Sequence, residues 1–389
     1  MEWECCPEEN IEEEEPQRPF RRDTYHYVLP TRLIAQHPLP RRDESRLMVL
    51  SRGSGAYHHS VFMNLRDHLR EGDLLVVNES RVFPARLLGH KPTGGKVDLL
   101  LLQPCDAEAA APSWSEAKGS KGREWECLVQ SSRRPKQGQS FAFPHGLEGQ
   151  VTGHSEEGVW KVRFNMEGKE LLAHLESHGL VPLPPYIRRG RTDSESDGPS
   201  VAKGTSHDRD RYQTVFARNS GSVAAPTAGF HFTEPLLGSL GASGISFGRI
   251  TLHVGQATFL PIRAGDIRKH RIRPERYRVE EEDAEKIRKA KQEGRRLVAV
   301  GTTVVRCLES MASERGRIEA GEGWAHLYVL PGHRFQAVDA LITNFHLPGT
   351  SLLVLVCAFA QREYVLRAYA EAIRKEYRFF SYGDCMLIQ

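Results

Sequence analysis

Between about Leu74 and Arg163 the apolar positions fall into short runs: Leu74–Asn78, Val82–Leu88, Val97–Leu102, Trp125–Gln130, Gln150–Thr152 and Val159–Phe164. Gly-rich turns such as Thr93-Gly94-Gly95 part them. Branched and aromatic residues in runs this short, bounded by turn formers, predict strands and a small all-β module. After about Gly179 the rhythm changes. Leu297–Val300 reads as a buried strand, and Thr302 or Thr303 as the cap of a helix whose Val305, Leu308 and Ala312 share one face. Ala340–Thr343 reads as another strand, followed by the apolar stretch Leu352–Ala360. An amphipathic helix is expected from about Glu363 to Tyr377, with Val365, Tyr369 and Ala372 on one stripe. Strand and helix alternate here, which predicts an α/β body interrupted by a β-rich insertion.

The 389 residues exceed one ordinary domain of ~100–200 residues. The pattern divides them into an acidic tail, 1–19, a discontinuous α/β domain, 20–80 and 179–389, and the insertion, 81–178. Eight Glu among the first 15 residues meet no Lys or Arg, and Pro7, Pro16 and Pro19 interrupt any helix, so the tail is expected to be disordered. Residues 105–123 and 188–210, rich in Ser, Gly, Ala and charge, read as loose loops.

Composition narrows the class. With 39% hydrophobic and 26% charged residues the chain is expected to be a soluble globular protein. Its longest apolar run, Leu352–Ala360, is nine residues, against the roughly 20 that a membrane-spanning helix needs. The N-terminus has no apolar signal region, and the seven cysteines form no C-x-x-C pair, so a cytoplasmic location fits better than a disulfide scaffold or zinc ribbon. The net charge of +3 hides an asymmetry: without the eight Glu of the tail, 42 acidic residues face 53 basic ones, a net of +11. A body of that sign attracts polyanions, nucleic acid first among them.

Candidate chemistry gathers where strands end. In Ala225-Pro226-Thr227-Ala228-Gly229-Phe230-His231-Phe232-Thr233, Gly229 permits close backbone approach, Thr233 can cap a helix, and His231 sits where a ligand could meet that helix. Thr251-Leu252-His253-Val254-Gly255 places His253 on a polar strand face. At Gly301-Thr302-Thr303 a strand passes into a helix, whose free amides would suit a carboxylate or phosphate. Asn344 and His346 flank Phe345 just past a strand, a place for base or amide recognition. Phe379-Phe380-Ser381-Tyr382-Gly383-Asp384 could stack on a purine and hold a ribose, or could be a last strand. No phosphate loop, dinucleotide fingerprint, zinc-protease motif or nucleophile elbow appears, and no His/Cys spacing suggests a metal.

In order along the chain, these loops join RDESRL (42–47), NESRV (78–82), PLPPYI (182–187) and RYQTV (211–215). APTAGFHFT, TLHVG, VGTT, VDALITNFHLP and FFSYGDCMLI follow. Together they resemble the S-adenosylmethionine:tRNA ribosyltransferase-isomerases of the queuosine pathway, from about Tyr25 to Ile388. The resemblance implies a large α/β domain with a small inserted β-barrel. It implies ribosyl transfer from S-adenosylmethionine to the aminomethyl group of 7-aminomethyl-7-deazaguanine at a tRNA wobble position, with adenine and methionine released. The donor would be a consumed co-substrate, with no metal or redox cofactor, and the enzyme a monomer away from membranes.

That chemistry needs one base, a purine pocket, a carboxylate anchor and a basic surface. A sulfonium acidifies the adjoining ribose hydrogens, so His231 or His253 is expected as base, with Asp384 and Asp43 as further candidates. Thr302 and Thr303 are expected to hold a carboxylate, with Tyr382, Phe232 and Phe345 stacking on a base. Arg46, Arg81, Arg211 and Arg306 are expected at phosphate or carboxylate. Asn78, Tyr186, Tyr212, Thr227, Gly229, Thr233, Gly255, Gly301, Asn344, His346 and Ser381 complete the expected binding set. The chain departs from the family pattern at Gln256, Ala257, Arg273, Val304 and Gly349. An ordinary S-adenosylmethionine-dependent tRNA methyltransferase would need a glycine-rich loop after its first strand, and none is present. A catalytically silent tRNA-binding protein is the alternative from another class.

Overall fold

A computed structural model describes residues 18–105, 123–155, 158–189, 205–255 and 261–389. The expected acidic tail up to residue 17, most of both loose loops, and the departures at Gln256 and Ala257 lie outside the described residues.

In chain order, β1 (Arg46–Leu50) and β2 (Tyr57–Val61) form a hairpin, followed by β3 (Leu74–Asn78) and β4 (Ser80–Val82). Six strands come next: β5 (Arg86–His90), β6 (Lys96–Pro104), β7 (Glu124–Ser131), β8 (Ser140–Ala142), β9 (Glu148–His154) and β10 (Val159–Phe164). Helices α1 (Gly168–His178) and α2 (Thr205–Arg211) lead to β11 (Asn219–Ser222), α3 (Glu234–Ala242), β12 (Ser246–Leu252) and β13 (Glu275–Val279). The remainder is α4 (Glu281–Gln292), β14 (Leu297–Val300), α5 (Thr302–Arg315), β15 (Gly321–Ala325), β16 (Ala340–Asn344), α6 (Ser351–Ala360), α7 (Arg362–Arg374) and β17 (Cys385–Ile388).

The main sheet has nine strands in the order β15-β13-β12-β3-β14-β16-β17-β1-β2. Its centre, β12, β3, β14 and β16, is parallel. β3 (Leu-Leu-Val-Val-Asn) and β14 (Leu-Val-Ala-Val) are buried along their whole length, as strands covered on both faces must be. Alternate residues serve two cores. Leu74, Val76, Leu297 and Ala299 pack under α4 to α7, while Leu75, Val77, Val298 and Val300 face α3 and the 62–68 turn. The apolar run at 352–360 is α6, hydrophobic all round because it is enclosed. β17 lies antiparallel to β16 and parallel to β1, and so carries the first hairpin on the sheet.

β5 to β10 close into an antiparallel barrel. β10, Val-Trp-Lys-Val-Arg-Phe, turns Val162 and Phe164 inward and Lys161 and Arg163 outward, the half-exposed alternation of a barrel wall. The mixed α/β body with a closed β-barrel is the expected architecture. Two local expectations differ. The run Val82–Leu88 is split into β4 and β5 by Phe83-Pro84-Ala85, since a proline cannot donate to a ladder. The 379–384 segment is a turn rather than a strand, and the last strand is β17.

Candidate active site

In an open α/β sheet the strand ends that leave backbone groups unpaired, and the helices that start there, make the natural crevice. Here β12 and β14 flank β3 on opposite sides, so the connections leave in opposite directions above their carboxyl ends. A cleft of about 610 Å³, partly open to solvent, lies beyond β14 and β16. Thr227, Gly301, Thr302, Thr303, Asn344, Phe345, His346, Tyr186 and Ser381, all expected site residues, line it. A second cleft of about 290 Å³, containing Arg42, Ser45, Arg211, His231 and Tyr382, meets the first at Ser381.

The floor of the larger cleft is the start of α5. Gly301, not a threonine side chain, occupies the cap position, with φ 100° and ψ 151°, a region open only to glycine. The first intrahelical bond runs from the Val305 N–H to the Gly301 carbonyl, so the amides of Thr302 and Thr303 have no acceptor within the helix. Thr303 Oγ1 is buried, on a residue 6% exposed, and has no hydrogen-bond partner among the described residues. Donors of this kind favour an anion. Across the cleft, Tyr186 and Ser381 share a hydroxyl–hydroxyl bond of 2.7 Å.

The wall between the clefts is a chain of side chains. Ser45 Oγ lies 2.6 Å from His231 Nδ1. Asn344 Nδ2 donates to His231 Nε2 at 3.2 Å and to the Phe380 carbonyl at 3.1 Å, while Asn344 Oδ1 accepts from Thr227 Oγ1 at 3.1 Å. Burial, then the Arg42 and Arg378 guanidinium groups, lower the His231 pKa to about 3. The imidazole is therefore neutral, with Nε2 as acceptor. Burial also lowers His346, 2.7 Å from Thr343 Oγ1, to about 3. His253 is lowered to about 4 by burial and then Arg276. It lies just past β12, its ring against the backbone of Gly221, where a Cβ would approach to 2.6 Å.

These three imidazoles make stability depend on pH. Below the ordinary histidine value of 6.5 the unfolded chain takes up protons that the folded chain refuses, so stability falls with pH from there toward the folded values. We expect the thermal midpoint to drop steadily between about pH 7 and pH 5, above the range where carboxylates titrate. A flat profile in that window would show that the imidazoles protonate freely.

Several expected site residues have structural duties instead. Asp384 accepts from the Arg46 N–H (2.9 Å), Arg46 Nε (3.1 Å) and the Arg378 N–H (2.8 Å), which leaves it poorly placed as a base and Arg46 committed. Asp43 accepts from Thr233 Oγ1 at 3.1 Å and lies 3.5 Å from Arg41, and Thr233 caps α3 through the Leu236 N–H. Arg306 is not available to phosphate: buried, it meets Glu275 at 2.5 Å and the carbonyls of Leu327 and Ala325. Asn78 ties β3 to β12 through the Leu252 N–H and carbonyl. Phe232, expected to stack on a base, is fully buried against Phe62 and lines neither cleft. Phe345 is fully buried as well, though it contributes to the lining of the larger cleft.

Of the rest, Tyr212 packs edge-on to Phe230 and Tyr382. Gly229 admits the Phe216 ring, which a Cβ would meet at 2.6 Å. The Gly255 N–H donates to Glu275, and Arg81 is exposed on β4. Ser45, Thr343 and Phe380 were not among the expected residues. Ser45 and Phe380 stand inside motifs already singled out, and the φ of 70° at Phe380, costly for a bulky residue, marks a shaped turn. Gly349, one of the departures named above, adopts φ 65°. Among the described residues no group of three or more His, Cys, Asp or Glu could hold a metal ion, and no helix is long and apolar enough to cross a membrane.

Residues 22–388 match a family described as queuosine biosynthesis protein. An S-adenosylmethionine:tRNA ribosyltransferase-isomerase of Anaeromyxobacter sp. (strain K) is 49% identical over 95% of this chain and 99% of its own length. A protein of the same name from Syntrophotalea carbinolica is 46% identical over 95% of this chain and 100% of its own. The crystal structure of the S-adenosylmethionine tRNA ribosyltransferase from Thermotoga maritima is 32% identical, with a TM-score of 0.50, over 94% of this chain and 100% of that one.

Proposed function

Because this chain belongs to the queuosine biosynthesis protein family, we propose that it is an S-adenosylmethionine:tRNA ribosyltransferase-isomerase. It moves the ribosyl group of S-adenosylmethionine onto 7-aminomethyl-7-deazaguanine at the tRNA wobble position, giving epoxyqueuosine and releasing adenine and methionine. The observation that carries this reading is the near full-length match to relatives of that name, 95% of this chain and 99% of theirs. S-Adenosylmethionine is consumed, and the reading calls on no metal or redox cofactor. The protein acts as a cytoplasmic monomer.

The larger cleft takes the sulfonium donor. Its methionine carboxylate lies at the start of α5, where the amides of Thr302 and Thr303 have no acceptor within the helix and the buried Thr303 hydroxyl lacks a partner among the described residues. The Tyr186–Ser381 hydroxyl pair faces the ribose. Of the two histidines proposed as base, His231 is better placed, since it touches Asn344 of the donor cleft and lines the neighbouring one. Its low pKa keeps the ring unprotonated at neutral pH, and the hydrogen bond from Asn344 Nδ2, which has to open before a proton is taken, assigns the lone pair to Nε2. Proton uptake there is uphill, so the imidazolium is short-lived and returns its proton readily.

The test is incubation with S-adenosylmethionine and tRNA bearing the aminomethyl base, followed by nucleoside mass analysis. Epoxyqueuosine together with free adenine and methionine is expected. S-Adenosylhomocysteine would instead reveal methyl transfer, and tRNA binding without donor consumption would reveal a silent binding protein.

A further inference from the structure

The proposed reaction joins two substrates, and the protein has two clefts that meet at one serine. The smaller is distinctive in its charge. Arg42 and Arg211 line it, and among the described residues no Asp or Glu does. Arg42 is pinned by the carbonyls of Gln213, Phe230 and Asp210, and Arg211 by those of Leu39 and Pro40. Both charges are thus held still by neutral groups. Three nearby carboxylates are matched, Asp208 with Arg189 at 2.6 Å, Asp384 with Arg46 at 3.1 Å and Asp43 beside Arg41 at 3.5 Å, while the side chain of Asp210 is exposed and outside the cleft lining. Two polar groups await a ligand. The Tyr382 hydroxyl, on a residue 4% exposed, and Arg211 Nε are buried without hydrogen-bond partners among the described residues.

We infer that the smaller cleft receives the aminomethyl-bearing base of the tRNA, and that its fixed guanidinium charges keep the acceptor amine unprotonated. This rests on the function proposed above. A primary amine in neutral water is an ammonium ion and has no electron pair to give. The new C–N bond requires that pair. Brought beside Arg42 and Arg211, in a cleft that among the described residues no Asp or Glu lines, the ammonium meets two like charges and sheds its proton to solvent. Burial first, then Arg42 and Arg378, disfavour the protonated form of the His231 ring on the same wall. The shared Ser381 and the His231–Asn344 contact set the amine in one cleft against the ribosyl group in the other. The same cationic surface suits the phosphates that flank the base.

The experiment measures initial rates against pH with S-adenosylmethionine and the aminomethyl-bearing tRNA, for wild type, Arg211→Lys and Arg211→Met. Arg211→Met is expected to move the acidic limb of kcat, which reports the enzyme-bound amine, to higher pH by about one unit, an approximately 10-fold loss near neutrality that alkaline buffer restores. Arg211→Lys keeps the limb in place, and KM for the donor is the same in all three. A loss in Arg211→Met that is equal at every pH, or a raised donor KM, overturns the inference. Should Arg211→Met not fold, Tyr382→Phe tests the same cleft. Loss of one hydroxyl is expected to raise KM for the tRNA by roughly 2–10-fold with donor KM unchanged, and an unaltered tRNA KM overturns the assignment. A wild-type protein that makes no epoxyqueuosine at any pH removes the proposed function itself, a result distinct from either of these.

Discussion

Replacing Arg306 by methionine is expected to destabilise the chain by about 3–5 kcal/mol, the usual cost of stranding one partner of a buried ion pair. Arg306, on the second turn of α5, is 3% exposed and meets Glu275, 6% exposed, on β13 at 2.5 Å. Its other nitrogens satisfy the Leu327 and Ala325 carbonyls. Methionine can fill the volume but leaves Glu275 charged and buried without its guanidinium. Arg306→Lys, which keeps the charge but loses the planar fork, should fall between. The double change Arg306→Met with Glu275→Leu should recover part of the loss, because both buried charges go together. Urea unfolding with an unchanged slope measures the difference. A midpoint equal to that of the parent would mean that the pair is solvated.

Gly301→Ala carries the second large effect, and on activity more than stability. The φ of 100° and ψ of 151° lie where only glycine is comfortable, at a cost of about 1–3 kcal/mol for another residue. The added methyl has room, its nearest neighbours being Ala228 Cβ and Thr303 Oγ1, both at 3.6 Å. The penalty is therefore conformational, and the backbone relieves it by rotating the first turn of α5. That turn aims the Thr302 and Thr303 amides. A displacement near 1 Å costs on the order of 100-fold in kcat/KM for the donor. Gly316→Ala, at the other end of α5 with φ 70°, is the control. It should cost about 1–2 kcal/mol of stability and leave donor kinetics unaltered. Equal kinetic losses from both changes would mean that general loosening, not the aim of those amides, is responsible.

Much of the architecture could be read from local pattern because local burial decides it. β14 is apolar along its length since both faces are covered, and β10 alternates since one face looks into the barrel. The loops at strand ends stood out through Gly, Pro and His at 226–231, 301–303 and 344–349. Contacts made at long range were invisible. Nothing near Arg306 announces Glu275, 31 positions away, so a buried structural cation looked like a phosphate ligand. Asp384 looks like a free acid because Arg46, which donates to it twice, stands 338 positions away at the start of β1. Ser45 reaches His231 across 186 positions. The cap of α5 was misjudged for a different reason: threonine is the statistical favourite at such a position, and the φ of Gly301 has no signature in composition.

The place of β17 has a consequence for how the chain is made. The β1–β2 hairpin leaves the ribosome early, yet the strand that joins it to the rest of the nine-stranded sheet is residues 385–388. At ordinary translation speeds that interval is on the order of tens of seconds. Through it the free edge of β1, with its unpaired amides and carbonyls, is exposed to any other nascent strand, so crowding on polysomes threatens this protein more than its finished sheet suggests.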